Sequence, residues 1–172
     1  MAGKKHEGFE ALVGREYERL VRALALYCGD TAVAEELAQD AFARAYQRWS
    51  HVGSMDRPDA WVHRVAFNLA GTWFRRRYAE RRAYTRHGPP EEREVPVDTA
   101  AGLTVRAAVL RLPPGQRAAI VHRYFLGRSV AETADALGTS PGAVKQATFK
   151  AMAALREAIG DDIEAHVEVD RA

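Results

Sequence analysis

Cysteine is nearly absent from these 172 residues. Only Cys28 is present, so no disulfide can close within the chain, and a reducing compartment suits it. No stretch approaches the roughly 18 apolar residues that a membrane span needs, although 47% of the residues are hydrophobic. The alternation of apolar and polar residues that marks a half-buried strand is missing as well. Met1 to Glu7 carries Lys4, Lys5 and His6 with no apolar segment behind them, so no secretory signal is expected there. These gaps lead to an expectation of cytoplasmic location without membrane insertion. Signatures of catalysis are also lacking. His6, His51, His63, His87, His122 and His166 show neither an HExxH motif nor paired ligand spacing. No GxSxG, phosphate-loop or GxGxxG pattern occurs. An enzyme is therefore not expected.

What the chain does have is arginine in blocks. The net charge of +2 conceals the distribution. Between Arg64 and Arg86 there are seven arginines against a single acid, Glu80. From Thr99 to Ala131 there are five arginines and no acid. The end reverses sign, with Glu157, Asp161, Asp162, Glu164, Glu168 and Asp170 against Arg171. Basic blocks on helices are the footprint of a polyanionic partner, though solvated arginine-rich faces give the same count. The acidic end reads either as a solubilising tail or as a segment that folds back on the basic faces.

Helical periodicity dominates throughout. A first helix spans Phe9 to Tyr27, with Leu12, Leu20, Leu24 and Tyr27 as its apolar stripe. A second runs from Ala32 to Trp49, acidic in its first half and basic in its second, an order that suits the helix dipole. Ser50 to Asp56 reads as a loop around Gly53, and Pro58 opens a third helix that continues to about Arg82. Proline and charge fill the segment from Tyr84 to Gly102, which reads as a flexible linker. Beyond it come a short helix from Leu103 to Leu112, a second from Gln116 to Phe125, a third to Leu137 and a last from Pro141 to Ile159. The fold class is thus all-α: two small helical bundles, 8–83 and 103–159, joined by the 84–102 linker and followed by the acidic tail 160–172.

The strongest local pattern surrounds Gly138. Ser129 and Glu132 form a capping box, Gly138 supplies a turn, and Thr139-Ser140-Pro141 caps the next helix. That is the syntax of a helix-turn-helix, whose second helix enters the major groove by its N-terminal half. Lys145, Gln146, Phe149 and Lys150 are its outward positions. They supply phosphate neutralisation, an amide for an adenine edge and an apolar contact for a thymine methyl. Ser129, Thr139 and Ser140 sit where helix N-termini meet phosphates. The competing reading buries Phe149 against a neighbouring helix. On the third helix Arg64, Asn68, Gly71 and Arg75 form a polar stripe. Asn68 either faces a base edge or is hydrogen-bonded inside the bundle. The arginines that follow either meet phosphate or only complement the helix dipole. The acids Glu35, Glu36 and Asp40 with Gln39 form either a docking face for a basic protein or a solvated surface.

Taken together, these residues resemble the sigma factors of the extracytoplasmic-function type. Ala34 to Tyr46 is similar to that family's polymerase-binding helix, and Trp61 to Asn68 with its arginine run to the helix that reads the minus-ten element. Leu112 to Arg117, and Ser129 to Arg156, are similar to its minus-thirty-five-reading domain. The resemblance covers about Phe9 to Ile159. It implies that Glu36, Gln39, Asp40 and Phe42 dock on core RNA polymerase. It implies that Ser50, Arg64, Asn68, Arg75 and Arg76 engage the melted minus-ten strand. Ser129, Thr139, Ser140, Lys145, Gln146, Phe149 and Lys150 would then meet the minus-thirty-five duplex. No cofactor and no metal is implied; an anti-sigma factor is a further implied partner. Two positions depart from the family. Gln146 and Ala147 follow Lys145 where an arginine is usual nearby, and Thr72 stands where an acid is common. The alternative function is a stand-alone helix-turn-helix regulator, which would have no use for a separate acidic docking face.

Overall fold

Helix caps written into the sequence account for most of the element boundaries in the computed structural model, which describes residues 2–84 and 100–160. Helix α1 spans Ala2–Cys28 and α2 Thr31–Gln47. Gly29 between them adopts φ 79°, and Asp30 Oδ1 accepts from the Val33 amide at 3.1 Å, so one glycine and one cap make the corner. Helix α3 is a single turn, Trp49–Val52, and α4 runs from Pro58–Tyr84. Then come α5 (Ala100–Arg111), α6 (Pro114–Ile120), a π-helical turn (Val121–Phe125), α7 (Val130–Leu137) and α8 (Pro141–Ile159). Among the described residues there is no strand. Of the expected linker 84–102, Tyr84 ends α4 and residues 100–102 already belong to α5, where the chain was expected to be unstructured; residues 85–99 lie outside the described residues, as does the expected acidic tail beyond Gly160.

The described chain divides into two units. The first takes α1 up to Leu24 with α2, α3 and α4; the second takes Ala25–Gly29 with α5 to α8. In the first, Leu12, Leu20 and Leu24 of α1 are buried, as are Val62, Ala66, Phe67 and Ala70 of α4. Burying one such large apolar side chain is worth about 1.5–3 kcal/mol. Helix α2 turns a seam of Ala34, Ala38, Ala41 and Ala45 inward, all 0% exposed, and packs against α4. Small side chains bring backbones close, and the depth of the seam accounts for the buried alanines. In the second unit α8 is central and packs against α5, α6 and α7. Its Ala151, Met152 and Leu155 meet Val105, Ala108, Val109, Leu112 and Ile120.

Two expected elements differ. Ser50 to Asp56 is not a continuous loop, because Trp49–Val52 forms α3 and places Val52 at 0% exposure. Burial of that one valine holds the turn. The helix expected over Gln116 to Phe125 starts at Pro114 and widens at Val121, where the Leu126 amide donates to the Val121 carbonyl at 2.9 Å. A five-residue closure swings Val121 and Leu126 onto the same side, and both are buried.

Candidate nucleic-acid and polymerase interface

Which side of α4 packs inward decides what its polar stripe can do. With Val62, Ala66, Phe67 and Ala70 taking the core, Arg64, Asn68, Arg75 and Arg76 are all exposed. The reading in which Asn68 is bonded inside the bundle therefore does not hold; its amide faces water in mid-helix, where asparagine is a poor former. The stripe is ordered along its length. The Thr72 hydroxyl donates to the Asn68 carbonyl at 3.1 Å, and Arg75 Nη2 donates to Thr72 Oγ1 at 2.9 Å. The guanidinium lies over position 71: a Cβ there would meet Arg75 Nη1 at 3.7 Å, in ordinary van der Waals contact. Arg75 is thus laid back along the helix toward Thr72 and position 71, on the same face as Asn68. On another side of the helix Arg77 stacks over the Trp73 ring, 5.1 Å from its centroid.

Ser50 is exposed on α3. The turn after it depends on Gly53, because a Cβ there would sit 2.8 Å from Trp49 Cε2 and 2.9 Å from the Trp49 carbonyl oxygen. Any side chain at this position would push against backbone as well as the indole. Ser54 Oγ closes the turn by donating to the His51 carbonyl at 2.8 Å.

On α2, Glu35, Glu36, Gln39 and Asp40 are exposed along the outer face. Gln39 reaches the Tyr17 hydroxyl of α1 at 3.4 Å, and Asp40 pairs with Arg44 one turn on at 3.6 Å. Such an exposed pair is worth well under about 1 kcal/mol, so the face remains free to meet another protein. Phe42 is corrected: at 5% exposure it is core, its ring 6.4 Å from Phe9 and 5.9 Å from Tyr17. The helical period puts it on the inner side with Ala38, Ala41 and Ala45, so it supports the docking face from beneath.

The helix-turn-helix is built as its caps foretold. Ser129 Oγ accepts from the Glu132 amide at 3.1 Å while the Ser129 amide donates to Glu132 Oε2 at 2.8 Å. Gly138 takes φ 62°, ψ 39°, and the Thr139 and Gly138 amides donate to the carbonyls of Ala134 and Asp135. That pair of bonds is a Schellman closure, which glycine alone enters without strain. Ser140 Oγ caps α8 by accepting from the Ala143 amide at 3.2 Å. Ser129, Thr139, Ser140, Lys145, Gln146 and Lys150 are exposed, and Phe149 is 76% exposed. Phe149 therefore does not pack against a neighbouring helix. Val144, Ala151 and Leu155 fill the inner face instead, with Thr148 half-buried beside them. The outward face so defined carries two cations, an amide and an aromatic ring, a set suited to a DNA groove.

The sequence reading missed one ionisable pair in the first unit. His63 Nε2 lies 3.3 Å from Glu16 Oε2, and both residues are buried. The hydrogen bond from His63 holds the Glu16 carboxyl below its ordinary value against the opposing effect of burial, and Arg15 adds to the lowering. The signal was available: Glu16 interrupts the four-residue rhythm of Leu12, Leu20 and Leu24. His63 lies one residue before Arg64, so this pair fixes the register of the exposed stripe from behind.

Comparison with known proteins finds two sigma-70 regions along the chain. Residues 12–80 match sigma-70 region 2, and residues 103–155 match sigma-70 region 4. The RNA polymerase sigma-E factor of Streptomyces coelicolor is 35% identical over 155 residues, 87% of this chain and 84% of that protein. The ECF RNA polymerase sigma factor SigM of Mycobacterium tuberculosis is 31% identical over 161 residues, 93% of this chain and 81% of that one. The sigma factor RpoE of Bartonella quintana, solved in complex with the anti-sigma factor NepR, superposes with a TM-score of 0.74 at 21% identity. That alignment covers 90% of this chain and 98% of the other, and it speaks to the fold alone.

Proposed function

The chain belongs to the extracytoplasmic-function sigma factors of the sigma-70 family, and from that premise we propose how its surfaces divide the work. It is an alternative sigma factor that binds core RNA polymerase, recognises minus-ten and minus-thirty-five promoter elements and initiates transcription. Glu36, Gln39 and Asp40 dock on the polymerase. Arg64, Asn68, Arg75 and Arg76, with Ser50 nearby in sequence, hold the unwound minus-ten strand. Ser129, Thr139, Ser140, Lys145, Gln146, Phe149 and Lys150 meet the minus-thirty-five duplex. The bundles 8–83 and 103–159 serve as the two promoter-reading domains, with 84–102 between them as the linker. The observation that supports the division best is the exposure of Asn68 between two exposed arginines, on the side of α4 turned away from the buried Val62, Ala66 and Ala70.

The work is binding throughout. Unpairing a duplex costs stacking free energy, and trapping an extruded base offsets part of it. Two weak grips held on one polymerase act at high effective concentration, so neither needs great affinity alone. No reaction is catalysed by the chain itself, and no cofactor enters. An anti-sigma factor that covers one of these surfaces belongs to the same proposal, as does a cytoplasmic site of action. Among the described residues no helix is long and apolar enough to cross a membrane.

Run-off transcription with core polymerase across a promoter library tests the whole scheme. Gel shifts with and without core polymerase separate it from a stand-alone regulator. Stable promoter binding should require the polymerase; a shift by the chain alone, unchanged when core is added, would mark a repressor or activator.

A further inference from the structure

The exposed stripe on α4 does not end at Arg75. Arg64, Asn68, Gly71, Arg75 and Tyr78 recur at steps of four, three, four and three residues, the spacing that keeps positions on one helical face. Tyr78 is 68% exposed, one of the three large hydrophobic side chains most open to water among the described residues. The other two have roles nearby: Tyr46 packs on the Phe9 ring at 5.1 Å, and Phe149 lies on the groove-facing side of α8. Tyr78 extends the face that carries the cation and amide just described. Arg75 and Arg76, both exposed, precede it within one turn.

We propose that Tyr78 is a stacking platform for an unpaired base of the melted strand, extending the minus-ten grip one helical turn beyond Arg75. This inference rests on the reading of α4 given under Proposed function and adds a residue and a mode of contact to it. An aromatic ring set among cations is the arrangement that binds single-stranded nucleic acid without reading its sequence. The cations hold the phosphates and the ring takes the exposed face of a base. The stripe from Arg64 to Tyr78 is about 21 Å long at 1.5 Å per residue, room for several nucleotides. Charge selects the occupant, since an apolar ring flanked by arginines suits a polyanion with aromatic faces. A paired duplex keeps its base faces covered and offers Tyr78 nothing to stack on.

The test uses the full chain assembled with core polymerase and a fluorescein-labelled single-stranded oligothymidine 12-mer, followed by anisotropy over a range of salt. The matching dA·dT duplex is the control. Tyr78→Ala should weaken single-strand binding by about 5- to 150-fold and leave duplex binding unchanged. Tyr78→Phe should keep wild-type affinity, because the ring and not the hydroxyl carries the contact. The slope of log affinity against log salt should stay the same in Tyr78→Ala, whereas Arg75→Ala should lower it by about 0.7. Wild-type single-strand affinity in Tyr78→Ala would overturn the inference, as would equal loss on both probes or a reduced salt slope. If the wild-type assembly bound the oligonucleotide no better than core polymerase alone, the minus-ten reading of α4 would fall with it. If the wild type bound well and Tyr78→Ala matched it, only the stacking role would be lost.

Discussion

Replacing Asn68 by alanine should make the protein more stable and less active, and the opposite signs are what make the experiment informative. Asn68 is exposed in the middle of α4, so its side chain contributes no core packing. Alanine is the better helix former by about 0.5 kcal/mol. For a domain of this size 1 kcal/mol moves the melting temperature by about 4–8 °C, so Asn68→Ala should raise it by about 2–4 °C. The Thr72 hydroxyl bonds the Asn68 carbonyl and not its side chain, so the ordering of Arg75 survives the change. Function should move the other way. A well-placed bidentate amide contact to a base is worth about 1–3 kcal/mol, which corresponds to a loss of about 5- to 150-fold in open-complex formation. Scanning calorimetry reads the first effect, and run-off transcription with permanganate mapping of unpaired thymines reads the second. Unchanged transcription in a variant that melts higher would remove Asn68 from the promoter contact. A lower melting temperature would show its amide to be part of the bundle and refute the reasoning from exposure.

Two further outcomes follow from the same geometry. Lys145→Ala with Lys150→Ala should reduce the salt slope for duplex minus-thirty-five DNA by about 1.8 and leave thermal stability within about 0.5 kcal/mol; an unaltered slope would take both lysines off the phosphates. Glu16→Gln should change the acid limb of stability. Because the His63 hydrogen bond holds the folded Glu16 below its ordinary value of 4.5, the pair's stabilisation is complete above that value and is lost as pH falls through the lower folded one. The variant should therefore be less stable near neutrality and decline less steeply below about pH 4.5. Urea midpoints that run parallel from pH 7 to pH 3 would contradict this.

How far the sequence could be read depended on how far apart the interacting residues were. Ser129 with Glu132 and Ser140 with Ala143 are bonded three residues apart, so their caps were legible as short motifs. The turn at Gly138 was legible for the same reason. What escaped was set by distant partners. The α3 turn exists because Val52 is buried, and nothing within those four residues announces that. Glu16 and His63 meet across two helices. Phe42 lay on the core stripe and beside the acidic face at once, and only packing against Phe9 and Tyr17 assigned it to the core. Asn68 and Phe149 were ambiguous for a related reason: periodicity locates the apolar stripe of a helix, but a neighbouring helix decides how wide that stripe is.

The residue at position 72 shows how such a surface can be tuned without touching the core. This chain has a threonine there, where the resemblance led to the expectation of an acid. A carboxylate there would stand within a turn of Arg75 and neutralise part of its charge. The threonine hydroxyl instead takes one hydrogen from Arg75 and passes its own to the helix backbone, so the guanidinium is oriented while its full charge stays available to a phosphate. The guanidinium also lies within van der Waals reach of position 71, so orientation and charge act together within two turns of one helix. None of these groups is among the buried side chains that hold the bundle. The proposed promoter contact and the packed core therefore lie on separate faces of α4, so the exposed stripe is free to vary at little cost to the fold beneath it.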